Sequence, residues 1–117
     1  MDKLQQVLES AITQNNKVLA IWKAKLEEDP RSAMEWSLGT MEAVAHSHVY
    51  RQGLNALEHF KSHNSSDVMA AFKEYATGYA LQKASNVESS TSITANRMND
   101  YERQAWAKMA AFNGLWL

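Results

Sequence analysis

A chain of 117 residues without cysteine is long enough for one domain that buries a single core and has no disulfide to staple it. Twelve Lys and Arg against thirteen Asp and Glu leave a net charge of -1, too even a balance for a general attraction to nucleic acid or anionic lipid, so nucleic-acid binding is not expected. The longest early apolar run is Val18 to Trp22 and no basic stretch precedes it; neither a signal peptide nor a membrane span is expected, and the location reads as cytoplasmic.

Apolar residues recur at helical spacing along almost the whole chain, which predicts an all-α fold. The first helix is expected from about Lys3 to Glu28. Leu4, Leu8, Ala11, Asn15, Val18, Trp22 and Leu26 form its seam, widened by Val7, Ile12 and Leu19. Asn15 is the polar member of that seam, where an amide costs stability but fixes register or oligomeric state. Asn15 and Trp22 are therefore the candidates for self-association, with a homodimer as the form expected.

Pro30 is the only proline and marks the first break. Asp29-Pro30 reads as an N-cap followed by a first-turn proline, with Ser32 and Glu35 as an alternative capping box. A second helix then runs from about Arg31 to Ser62. Leu38, Met41, Ala45, Val49, Gly53, Ala56 and Phe60 lie on one face, with Tyr50, Leu54 and Leu57 on its flank. The small residues Ala45, Gly53 and Ala56 predict close approach of a neighbouring helix.

Asn64-Ser65-Ser66-Asp67 stops that helix and starts a third, whose Val68, Met69, Phe72, Tyr75, Ala76 and Tyr79 point inward and which is expected to end near Ala84. Residues Ser85 to Ser92 read as a loop, because Ser, Thr and Asn bond their own backbone in competition with helix. A fourth helix carries Ile93, Met98, Tyr101, Ala105, Met109 and Phe112 inward and is closed by Asn113-Gly114. Residues 1–117 thus form a single helical domain, a four-helix, up-and-down bundle. The two N-terminal helices would be roughly 40 to 45 Å long and the last two roughly 30 Å, so the longer pair must kink or overhang.

All four histidines lie between His46 and His63. His46 and His48 point about 200° apart on a helix, so only His59 and His63, four residues apart, share a face closely enough to chelate together. They lack the further ligand a zinc site needs, Asp67 being the nearest in sequence, and no bound metal or other cofactor is expected. Glu42, His46 and Tyr50 follow one another at successive turns, a carboxylate and an imidazole with the makings of a general base or of a small-molecule or metal site within the bundle. Di-iron bundles, however, carry Glu-x-x-His on two helices, and here the spacing is Glu42-x-x-x-His46 in one copy.

With no phosphate-binding glycine loop and no nucleophile beside a partner, the chain reads as non-enzymatic. Its function is expected to lie in a surface that engages another protein, as an inhibitor, adaptor or assembly factor. Phage- and mobile-element-encoded inhibitors of host systems are frequent in that class. The anchors expected are aromatic, since Trp and Tyr give large contact area for few rotatable bonds. Trp36 falls off the main stripe of its helix, Tyr50 lies on a flank, and Trp116, between Leu115 and Leu117, follows a helix stop.

Overall fold

The computed structural model describes residues 2–63, 67–89 and 93–112, the side chains of 2, 32–39, 87–89 and 93–95 apart. Within them the chain forms four α-helices and no strand: α1 (Asp2–Glu28), α2 (Ala33–Ser62), α3 (Val68–Ser89) and α4 (Ile93–Ala110). The helical period of the sequence accounts for all four. Between α1 and α2, Pro30–Ser32 make a turn of 3-10 helix. The Asp29 carboxylate accepts hydrogen bonds from the Arg31 backbone N–H and from Arg31 Nε, both at 3.1 Å. Proline thus opens a tight turn, and the α-helix begins at Ala33 rather than Arg31.

At the start of α3 the Asp67 carboxylate accepts the Ala70 backbone N–H at 3.0 Å, a side-chain cap on one of the helix's unpaired N-terminal donors. The end of α3 corrects the sequence reading. The helix continues through Ser85 to Ser89, five residues into the stretch expected to be loop. Serine's competition with helix is a weak preference, and packing along α4 overrides it. The adjoining Lys83 Nζ pairs with Glu102 across that contact at 2.6 Å.

Named contacts fix the topology. Lys61 Nζ donates to Gln5 Oε1 at 2.8 Å and the Arg51 guanidinium to Asn16 Oδ1 at 3.3 Å, which sets α1 and α2 antiparallel. Lys83 beside Glu102 and Tyr79 stacked on Trp106, ring centroids 4.9 Å apart, set α3 and α4 antiparallel. His46 lies against Tyr101 and Gly53 against Met109, so α2 and α4 run parallel, as alternate members of an up-and-down bundle must.

The core is built from Leu4 and Leu8 of α1, Val49, Tyr50 and Leu57 of α2, Phe72 and Ala76 of α3, and Trp106, Met109 and Phe112 beyond them. Each large apolar side chain buried in this way contributes about 1.5 to 3 kcal/mol. Trp106 is the largest side chain fully buried. It lies beside, not on, the inward row expected for the fourth helix. That helix packs on both α2 and α3 and needs a wider apolar arc than a single stripe supplies.

On α1 burial is confined to Leu4 and Leu8 among the described side chains, whereas on α2 it runs from Ala43 to Leu57. No described side chain between Leu8 and Ala43 is buried. The molecule measures 53 × 32 × 22 Å. α1 and α2, of 27 and 30 residues, outrun α3 and α4, of 22 and 18, and their connected ends extend past the core as an overhang.

Candidate functional site

Two helices that would close a compact bundle do not meet: among the described residues no Cα of α1 comes within 8 Å of one in α4. The space between them is an open groove of about 680 Å³. α1 supplies one wall with Lys3, Gln6, Val7, Ser10, Ala11, Gln14 and Asn15, α2 supplies His46 and Tyr50, and Lys108 of α4 stands on the far side. The helical period explains the first wall. Lys3, Val7, Ser10 and Gln14 recur every three or four residues on a row rotated about 100° from the Leu4–Leu8 row that faces the core. One helix thus faces the core and the groove at once.

The sequence placed Glu42, His46 and Tyr50 together, and the structure separates them by environment. Tyr50 is only 4% exposed and belongs to the core cluster. Burial, and next to it the negative charge of Glu42, push its phenol up to about 12. Glu42 itself is exposed and is not part of the groove lining. His46 is half-buried between the rings of Tyr50 and Tyr101, centroids 6.0 and 6.1 Å away, and its Nε2 is sealed from solvent without a hydrogen-bond partner. Burial lowers its pKa from 6.5, and Lys108 acts in the same direction. Glu42, Gln104 and the Tyr101 backbone act the other way, less than burial does. The Nε2 is thus closed to solvent, whereas a general base must be open to a substrate.

The expectation of Tyr50 as an exposed anchor is corrected by the same burial: its helix has neighbours on both sides, so a flank residue is covered. Trp22 is half-buried and lines a shallow pocket with Leu19, Leu26 and Thr40 on the α1–α2 overhang. Asn15, half-buried, lies on the groove wall. The side chain of Trp36 and the whole of Leu115, Trp116 and Leu117 lie outside the described residues.

His59 and His63 do meet, as an i, i+4 pair with ring centroids 4.1 Å apart. His63 Nδ1 lies 2.9 Å from the His59 carbonyl and 3.1 Å from Ser62 Oγ, so that nitrogen has local partners. The Asp67 carboxylate accepts the Ala70 N–H. Among the described residues no three His, Cys, Asp or Glu side chains are grouped to hold a metal ion.

Sequence reasoning joined His46 and Tyr50 with Glu42 and placed Val7, Ala11 and Asn15 on the stripe of the first helix, but did not bring the two sets together and passed over Lys3 and Lys108. The groove row on α1 was legible as a second, weaker stripe beside the main one. Which helix would fail to cover it was not. The same side of α1 continues along the overhang through Val18 to Ile21, which is 58% exposed. No helix of the described residues is long and apolar enough to cross a membrane. No protein-family model, no curated protein and no solved structure matches the chain.

Proposed function

We propose that this protein is non-enzymatic and acts by engaging another protein through the overhanging α1–α2 hairpin, as an inhibitor, adaptor or assembly factor. A phage- or mobile-element-encoded inhibitor of a host system is one instance of that class. The observation that carries the reading is the uncovered side of the overhang. Ile21 is 58% exposed, and Val18, Leu19, Trp22 and Leu26 are only half-buried although they repeat as regularly as Leu4 and Leu8. An apolar row of that kind, bordered by Lys17, Lys23 and Glu27, has the composition of an interaction surface with a polar rim.

Ile21→Asp and Leu81→Asp test this together. Both replace an exposed aliphatic residue, at 58% and 68%, but Leu81 lies on the outer face of α3. Affinity capture from the source cell should recover one partner with the wild type and with Leu81→Asp, and lose it with Ile21→Asp while the melting temperature stays unchanged. Equal capture by both variants overturns the assignment. Sedimentation equilibrium distinguishes a foreign partner from a second copy. A homodimer through this surface reverts to a 13.2 kDa monomer in Ile21→Asp.

A further inference from the structure

A smaller recess, of about 420 Å³, lies where α3 meets the end of α2, away from the overhang. That volume falls in the range of small-molecule sites, about 300 to 1,000 Å³. Ala71, Tyr75, Gly78 and Gln82 recur along it every three or four residues, on a row about 90° round the helix from Phe72, which faces the core. Glu74 and Tyr79 border that row, and Phe60 of α2 closes it. The three aromatic side chains are half-buried and hold one another at fixed angles. Phe60 and Tyr75 meet edge to face, centroids 5.9 Å apart at 79°, and Tyr75 and Tyr79 are tilted at 54° with centroids 4.9 Å apart. Trp106, fully buried and outside the described lining, backs both tyrosines, stacked on Tyr79 and edge-on to Tyr75. The Tyr75 hydroxyl is bonded to Tyr79 and to the Gln52 side chain, so its polar end is engaged within the protein and ring carbon is left for a ligand. Glu74 is exposed and makes no ion pair among the described residues. No Lys, Arg or His stands among the described residues of the lining.

We propose that this recess binds a methylated ammonium group, held against the rings of Phe60, Tyr75 and Tyr79 with the Glu74 carboxylate on its rim. The lining selects the class. Aromatic faces carry the negative end of the ring quadrupole and attract a cation, and the carboxylate adds a full negative charge. An anion meets both as repulsion, and a neutral apolar ligand gains ring contact alone. Methylation follows from the polar groups. A primary ammonium or a guanidinium gives up water from several N–H donors, and the acceptors in the described lining are chiefly Glu74 and Gln82. A quaternary ammonium has no N–H to satisfy and presents methyl surface to the rings. The site is independent of the overhang, so failure of one proposal leaves the other intact.

Titration of the full chain with choline, and with 3,3-dimethylbutanol as its uncharged isostere, followed by amide chemical shifts in NMR, tests the proposal. The expected result is saturable shifts centred on Tyr75, Gly78 and Tyr79, with choline about fivefold tighter than the alcohol, the preference a partly exposed cation–π contact confers. Acetyl-trimethyllysine amide serves as a second cation. It should bind more tightly than the unmethylated lysine amide, and its affinity beside that of choline tells a modified lysine side chain from a free quaternary ammonium, either of which supports the proposal. Glu74→Gln should weaken choline about twofold to fivefold and leave the alcohol unchanged. Gly78→Arg places a competing cation in the recess at a position where an added Cβ meets nothing within 4 Å, so the fold is kept and choline binding should be lost, while Gly78→Ala retains it. Equal affinity for choline and the alcohol overturns the proposal, as does choline binding that is unaffected by Gly78→Arg or by Glu74→Gln. Equal affinity for the methylated and unmethylated lysine amides, or the absence of saturable shifts with both choline and the trimethylated amide, overturns it too.

Discussion

His46 carries a stability consequence that its sequence neighbours do not reveal. Its ring is enclosed by Tyr50 and Tyr101 and its Nε2 has neither solvent nor partner, so the folded state binds a proton less readily than the unfolded chain, whose value is 6.5. Below that pH the unfolded state takes up protons first, and stability falls as pH is lowered through the folded-state value; above it the contribution is fully present. Urea midpoints should therefore decline as the pH goes from about 7 to about 5, and His46→Phe should remove part of that slope. An unchanged slope in the variant would mean that the imidazole reaches solvent in the folded protein.

Among the helices, α2 and α3 use glycine in opposite ways. A Cβ on Gly53 would stand 2.6 Å from Met109 Sδ and 3.7 Å from Phe72 Cζ, so the absent side chain is what lets α4 come this close. On Gly78 a Cβ would meet nothing within 4 Å, and the residue only loosens an exposed stretch of helix. Gly78→Ala should stabilise by about 0.5 to 1 kcal/mol. Gly53→Val should destabilise by about 1 to 3 kcal/mol through overpacking against Met109. Chemical denaturation of the two variants beside the wild type checks both signs. Close approach at Gly53 was legible in the sequence as a small residue on an apolar row. The continuation of α3 through Ser85 to Ser89 was not, because it depends on the neighbour along which the helix lies.

Across the whole molecule, length mismatch becomes shape. The radius of gyration is 15.7 Å, against about 13 Å for a compact domain of roughly 100 residues, and the difference lies in the hairpin that extends past the core. Amide hydrogen exchange should show it directly. The distal part of α1, from Asn16 to Glu28, is expected to exchange at least about tenfold faster than Ala43 to Leu57 of α2, since its backbone is covered by one neighbour only. Equal protection would place a further surface against the overhang in solution, and loss of that protection in Ile21→Asp would identify it as the surface proposed to engage a partner.

What the sequence by itself determined is local. Helical period, the break at Asp29-Pro30 and the restart after Asp67 depend on residues within a few positions of one another; the helix expected to open at Asp29-Pro30 is preceded instead by a 3-10 turn and begins at Ala33. The excess length of the first two helices followed from counting residues at a fixed rise. Only the tertiary structure decided which rows are covered. Trp106 lies beside the inward row of α4 and is fully buried because Tyr79 of α3 stacks on it. Tyr50 lies on a flank of α2 and is buried because that helix has neighbours on both sides, whereas Ile21 is left exposed on a helix that, among the described residues, has no Cα within 8 Å of α3 or α4. The groove has the same origin: α1 and α4 are both amphipathic, but their separation is fixed by how each packs on α2, a relation between residues some hundred positions apart that no local pattern encodes.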